Sequence, residues 1–264
     1  MLMLTHTYLL QRILGREAPT CNISPDIYAY NIIPDLLTIH PRIGSEQTHR
    51  VRRVFRIHPD YPKAGYIMFH LLVDDLSHYG SICLETNDKF NPYSHGFSYI
   101  RGRGLVQKLL DFHKSINAEI SYNDAVYRSH LIIEMVYDLV ISGYYDITTT
   151  IASLAEAVNF TTNNKIEEFI STVNWVYNFA ENEIREVMNA ASHYITTERL
   201  RKIMNLEGRV RLYGNKFGLD LSDPITASKI MDLFEKAKIL ADDNGAFLLE
   251  AEKSIKKYGW KLPL

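Results

Sequence analysis

Histidine and carboxylate recur at four-residue spacing in two otherwise apolar stretches, as His70, Asp74 and His78 and as His130, Glu134 and Asp138. An α-helix turns about 100° per residue, so positions i, i+4 and i+8 drift by only about 40° per step and each trio forms one narrow polar stripe. Such a stripe presents three ligand-type groups to one cavity. Ile67, Met68, Phe69, Leu71, Leu72, Val73 and Leu76 cover the other faces of the first stretch, and Leu131, Ile132, Ile133, Met135, Val136, Leu139, Val140 and Ile141 those of the second. A helix that is apolar nearly all round is a buried one. Ionised carboxylates there cost several kcal/mol unless paired, protonated or bound to a cation. No lysine or arginine lies within a turn of Asp74. Imidazole and carboxylate without nearby thiols suit zinc, iron or manganese better than calcium or a thiolate site.

The elements that must hold these stripes are helical almost throughout, so the expected fold class is all-α. A first helix is expected over residues 4–15, ending at Gly15, followed by a loop carrying Pro19, Pro25 and Pro34 past Asp35. Ser45 opens a helix expected to reach Ile57, and Asp60 with Pro62 suits the start of the first stripe helix, which Gly80 closes. Residues 81–104 form the longest irregular segment, and long loops in compact domains are often functional. A helix over 104–117 follows, and Ser121 with Asp124 makes a capping box for the second stripe helix, ended by Gly143. Beyond Asp146 the helical period continues with one isolated histidine, His193. Ile166 to Met188 reads as one long amphipathic helix, and Asp223-Pro224 starts another that carries Met231, Phe234, Ala237 and Leu240. The basic stretch Arg199 to Arg211 reads as a solvated face. The chain is expected to be a single all-α domain, with a metal-binding half at 1–146 and a packing half at 147–264.

With 264 residues, 46% of them apolar, the chain can build a substantial core, and its net charge of −2 advertises no general affinity for nucleic acid or anionic membrane. Cys21 and Cys83 make no disulfide framework, which fits a cytoplasmic location. The start lacks a basic n-region, and Arg12 interrupts its apolar run, so the chain is expected to be mature from Met1. No run approaches the roughly 18 apolar residues of a membrane span.

Ahead of the first stripe stand Thr5-His6, Pro34-Asp35 and Thr48-His49. The resulting order is His, Asp, His, then His-x3-Asp, His, and His-x3-Glu. It resembles the ligand series of the zinc-dependent phospholipase C and single-strand nuclease superfamily over residues 1–138. The resemblance implies a multi-helix bundle of that type, here with a C-terminal helical extension, and two or three zinc ions. It further implies that Asp35, His49, His70 and Asp74 hold one ion and His78, His130 and Glu134 a second. Asp74 would bridge to a third, completed by His6 and a terminal α-amine, here that of Met1. His40 competes with His49 from the same stretch, and Asp26 with Asp35. His58 and His113 read as structural or solvent-facing, Asp75 as a supporting or helix-edge residue, and Asp138 as a group that orients a histidine ligand.

A multinuclear site activates water and clamps phosphoester oxygens, so the implied chemistry is phosphoester or phosphodiester hydrolysis. By the same resemblance Asp35 sits at the activated water and serves as base. Tyr93, Tyr99, Arg101 and Arg103 would line the entrance and take a phosphate, or else form an ordinary surface loop. The expected substrate is a small phosphoester, with a nucleic acid or phospholipid as further candidates. The rival reading is a non-catalytic di-iron bundle of the hemerythrin type; a phosphohydrolase of the His-Asp type ranks below it, because the chain has no His-Asp dipeptide.

Overall fold

The computed structural model describes residues 2–18, 23–84 and 91–263; the Met1 amine, Pro19, Cys21 and the 85–90 part of the irregular segment lie outside the described residues. The chain winds through α1 (Met3–Glu17), α2 (Ile27–Leu36), α3 (Ser45–His49), α4 (Ala64–Tyr79), α5 (Phe97–Gly102), α6 (Val106–Ser115) and α7 (Tyr122–Tyr144). It continues through α8 (Thr148–Asn164), α9 (Ile166–Tyr177), α10 (Glu181–Tyr194), α11 (Thr197–Ile203), α12 (Leu206–Phe217), α13 (Pro224–Ala241) and α14 (Ala246–Lys257). No strand occurs among the described residues. The fold is all-α.

The first stripe helix is the axis of the molecule. Every residue of α4 from Ala64 through Ser77 is buried, as its all-round apolar pattern requires. α2, α5, α9 and α14 pack around it, while α1, α5, α6, α12 and α13 pack around α7. A single set of contacting buried apolar residues runs from Leu4 to Trp260, so the two halves of the chain share one core. The C-terminal tail fastens the start of α4: Trp260 lies 5.0 Å from Phe69 ring to ring, and its indole N–H donates to the Gly65 carbonyl at 3.0 Å. Tyr66 donates its hydroxyl to the Pro263 carbonyl at 2.7 Å.

Several start and stop signals act as read. Ser121 and Asp124 exchange the capping-box hydrogen bonds at the head of α7, and Asp223 accepts from the amides of Ile225 and Thr226 beside Pro224. Gly80 ends α4 in the left-handed region at φ 76°.

Other boundaries differ for identifiable reasons. α1 runs through Gly15 to Glu17, and Arg16 in its last turn pairs with Glu252 of α14 at 2.8 Å. Pro34 and Asp35 lie inside α2 rather than in a loop, because the buried face of Tyr30, Ile33 and Leu36 outweighs the one backbone bond that proline removes. α3 stops at His49, since the next residues form a strap held by Arg53, which turns inward to Asp75. α4 begins at Ala64, after a turn in which Tyr61 donates to the His58 carbonyl at 2.9 Å. The irregular segment contains the short helix α5, the 104–117 helix contracts to α6, and α7 passes Gly143 by one residue. The expected long helix from Ile166 to Met188 is two, broken where Asn178 takes φ 55° and Asn174 donates to the Phe179 carbonyl at 2.7 Å. Asparagine tolerates that conformation better than most residues.

The end of α4 is also where another segment comes closest. Gly96 donates to the His78 carbonyl at 3.0 Å, and Ser98 donates its hydroxyl to the Ser77 carbonyl at 2.9 Å. A Cβ at Gly96 would overlap the carbonyls of Ser77 and His78, which are backbone and cannot swing aside. Gly96→Ala should therefore destabilise the protein by at least ~1–3 kcal/mol, as overpacking does. Denaturant unfolding measures this; an unchanged midpoint would contradict the close approach.

Candidate metal centre

Five helices deliver the residues with ligand chemistry: α1 gives His6, α2 gives Asp35, α3 ends on His49, α4 carries His70, Asp74 and His78, and α7 carries His130 and Glu134. They converge as three groups, each able to offer ligand atoms within 4.8 Å of one another: His6, His70 and Asp74; Asp35, His49 and His70; and His78, His130 and Glu134. The first two share His70. The third follows on the next turn of α4, since four residues of helix advance about 6 Å.

Asp74 is the hub of the first two groups. Its Oδ1 lies 3.1 Å from His6 Nε2, and its Oδ2 lies 3.3 Å from His49 Nε2 and 3.2 Å from His70 Nε2. Asp35 Oδ1 lies 3.4 Å from His49 Nε2 and 3.8 Å from His70 Nε2. The rings of His6 and His70 stack at 3.7 Å with 15° between their planes. In the third group His78 Nε2 lies 2.9 Å from Glu134 Oε1, which also accepts from the Ser77 hydroxyl at 3.1 Å. Tyr99 stacks on His130 at 4.4 Å and 8°.

The donor set fits a cation better than it fits itself. His70 is fully buried, yet neither ring nitrogen has an aligned hydrogen bond, and the buried Asp35 Oδ2 is also unpartnered. Leaving such groups unmet costs roughly 1–3 kcal/mol each. An imidazole nitrogen close to two carboxylates but aligned with neither is the arrangement of ligands around a shared positive centre. All donors are nitrogen or oxygen; no thiol joins any of the three groups.

The electrostatics run the same way. Burial pushes His70 down to about 4, helped by His6, and burial pushes His130 down to about 3. Both present neutral imidazoles. For Asp35 and Asp74, burial acts upward but nearby positive charge, the histidines included, holds both carboxyls below the usual range. Burial acts to lower His49, but the two carboxylates outweigh it and raise it to about 10. Two carboxylates and one imidazolium therefore meet in this part of the site.

A second ring of buried charges holds the ligand helices. Arg53 donates to both oxygens of Asp75, at 3.0 and 2.6 Å, and to the His49 carbonyl at 3.0 Å, so it ties α4 to the end of α3. Asp75 also accepts from the Cys83 amide at 3.1 Å. Asp138 does not orient a histidine ligand among the described contacts. It accepts from the amide and hydroxyl of Thr5, at 3.0 and 2.6 Å, and from Arg209 at 2.9 Å, locking the residue beside His6. Arg209, only 2% exposed, is the exception in a stretch whose other basic residues, Arg199, Arg201, Lys202 and Arg211, are exposed as expected. Its partner lies 71 residues away in sequence, so no local pattern revealed it.

The competing candidates lie elsewhere. His40 faces Glu186 at 3.4 Å, and Asp26 is held by Lys63 at 2.5 Å. His58 stands by Tyr61 and Trp175, and His113 accepts from Arg128. His193 is exposed on α10. Of the expected entrance residues, Tyr93 is exposed and Tyr99 is buried against His130. Arg103 is spent on the carbonyls of Tyr93 and Ser94, and Arg101 lies over the Phe97 ring.

Fold and site together define an all-helical protein with buried and half-buried histidine–carboxylate groups that could hold metal ions. Compared with family models, curated proteins and solved structures, the chain matches none.

Two outcomes are expected. Asp74→Asn should lose at least one bound ion and lower the melting temperature of the metal-loaded protein, because bound metal contributes folding free energy, whereas His193→Ala should change neither. Elemental analysis with thermal melting checks both. His49, raised to about 10 from 6.5 in the metal-free fold, stabilises that fold fully below its ordinary pKa and loses this contribution as pH rises through about 10. Metal must displace that proton, so loading at pH 7 should release about one proton from this group and affinity should rise with pH. Calorimetry in buffers of different ionisation heat measures the release, and His49→Gln should abolish it.

Proposed function

We propose that this chain is a metal-dependent phosphoester hydrolase, with zinc as its cation and a small phosphodiester of the cytoplasm as its substrate. Its bundle would be of the zinc-dependent phospholipase C type with a C-terminal helical extension. The observation that carries this reading is the convergence of buried His70 and Asp74 with part-exposed Asp35 and His49, with His70 and Asp35 Oδ2 left unpartnered. A neighbouring group of His78, His130 and Glu134 one helical turn away supports a multinuclear site. The all-nitrogen-and-oxygen donor set suits zinc in a catalytic role. No helix among the described residues is long and apolar enough to cross a membrane.

Cations held by these three groups would lower the pKa of a shared water and stabilise charge on phosphoryl oxygens. The residues supply the rest. Asp35, kept ionised by its histidine neighbours and with Oδ2 unengaged, is placed to take a proton from water. Asp74 fixes the relative positions of three imidazoles through its two oxygens. Arg53 and Arg209 neutralise Asp75 and Asp138, so those carboxylates keep the helices in place without competing for the cation. The apolar cover on α4 keeps bulk water from the deeper groups.

The test pairs elemental analysis of protein purified without an affinity metal with hydrolysis of bis-p-nitrophenyl phosphate before and after chelation. Two or three zinc ions per chain with chelator-sensitive turnover are expected. Two irons with a visible absorption band and no turnover would replace this reading with an oxygen-binding one, and protein that takes up no metal would end both.

A further inference from the structure

α2 carries a second polar residue on the face that bears Asp35. Asn31 precedes Asp35 by four residues on that helix, about one turn, and is 0% exposed. Neither its side-chain oxygen nor its side-chain nitrogen has a hydrogen-bond partner. A buried carboxamide left unmet costs roughly 1–3 kcal/mol for each group. Residues four apart on a helix lie one above the other with Cβ atoms about 6 Å apart, and side chains lean toward the helix N-terminus, so the Asp35 carboxylate leans over Asn31. That carboxylate sets its Oδ1 against His49 and His70, at 3.4 and 3.8 Å, and its Oδ2 is buried and unpartnered. The same spacing brings ligand-type pairs into the other groups. His70 and Asp74 on α4 approach to 3.2 Å, and His130 and Glu134 on α7 both enter the third group. Asn31 and Asp35 are the pair of this kind on α2, with an amide where the others have an imidazole.

We infer that Asn31 is a further ligand of the centre formed by Asp35, His49 and His70, binding the cation there through its Oδ1. The inference rests on the metal-binding part of the reading above and is independent of the reaction. A carboxamide oxygen is a hard, uncharged donor. It adds a ligand without adding charge to a centre where the carboxylates of Asp35 and Asp74 already meet. Its Nδ2 has the unpartnered Asp35 Oδ2 as an acceptor one turn away. One turn of α2 then supplies two ligands, as one turn of α4 and one of α7 do. Asparagine does not titrate, and Asn31 stands in the apolar run of α2, so nothing in its local sequence marks it.

The experiment compares wild type with Asn31→Leu, which keeps the size of the side chain and removes both polar groups, and with Asn31→Asp, which keeps an oxygen donor. Each full-length protein is stripped of metal, melted, and titrated with zinc by calorimetry. Metal-free Asn31→Leu should melt at or above wild type, because an unmet buried amide is gone. Its affinity for one zinc ion should fall roughly tenfold or more, while Asn31→Asp should keep that ion. Opposite signs in the two readouts distinguish a ligand from an amide that only supports the fold. A lower melting temperature of metal-free Asn31→Leu would show the amide bonded within the protein and overturn the inference. Wild-type zinc affinity in Asn31→Leu would also overturn it, leaving the amide to a buried water, and so would loss of the ion from Asn31→Asp. Wild type that takes up no metal would overturn the inference together with the reading it rests on. Zinc bound in an Asn31-dependent way without turnover of bis-p-nitrophenyl phosphate would remove the hydrolase reading alone and support the ligand role.

Discussion

Everything in this molecule answers to the cost of placing ionisable groups inside a helix bundle. α4 is buried on all sides and still carries His70, Asp74 and Asp75 in its middle. Each must be met by something from another element, and the partners differ in kind. Asp75 takes a guanidinium from the strap after α3, Asp138 takes one from α12, and Asp74 takes three imidazoles from α1, α3 and its own helix. A guanidinium settles a carboxylate permanently, because it does not lose its proton in the accessible range. Imidazoles do not, because the same ring nitrogen can carry a proton or bind a cation. The difference separates the carboxylates settled by a guanidinium from those that face imidazoles.

The two adjacent aspartates of α4 show how finely this is divided. Asp74 and Asp75 differ by about 100° around the helix. One faces the histidines and the other faces Arg53. Arg53 also holds the carbonyl of His49, so the guanidinium that settles Asp75 also positions an imidazole that faces Asp74. Similarly, Asp138 bonds the residue next to His6. The ligand groups are therefore set in place by salt bridges that share their helices but not their chemistry.

What was legible in the sequence was what depends on local periodicity. The stripes on α4 and α7, the Gly80 stop, the Ser121 box and the Asp223-Pro224 start are all encoded within a few residues of themselves. The ligand-type residues were readable because polar groups stand out against an apolar helix. Less legible was anything decided by a distant partner. α3 ends early because Arg53 is drawn inward, and Arg209 is buried because Asp138 lies on another helix. The choice between His40 and His49, or between Asp26 and Asp35, likewise turned on Glu186 and Lys63, residues far along the chain.

One consequence of α4 concerns length. His70, Asp74 and His78 ride on a single unbroken helix, so the separation between the two ends of the site is a property of backbone rise and not of how neighbouring helices are packed. Any shift of α1, α2 or α7 relative to this helix would leave its own spacing unchanged. The site thus carries a built-in ruler, whose graduation is one helical turn. A family of variants with altered cores would keep that graduation, whereas a single inserted residue between Asp74 and His78 would swing His78 by about 100° and take it off the scale.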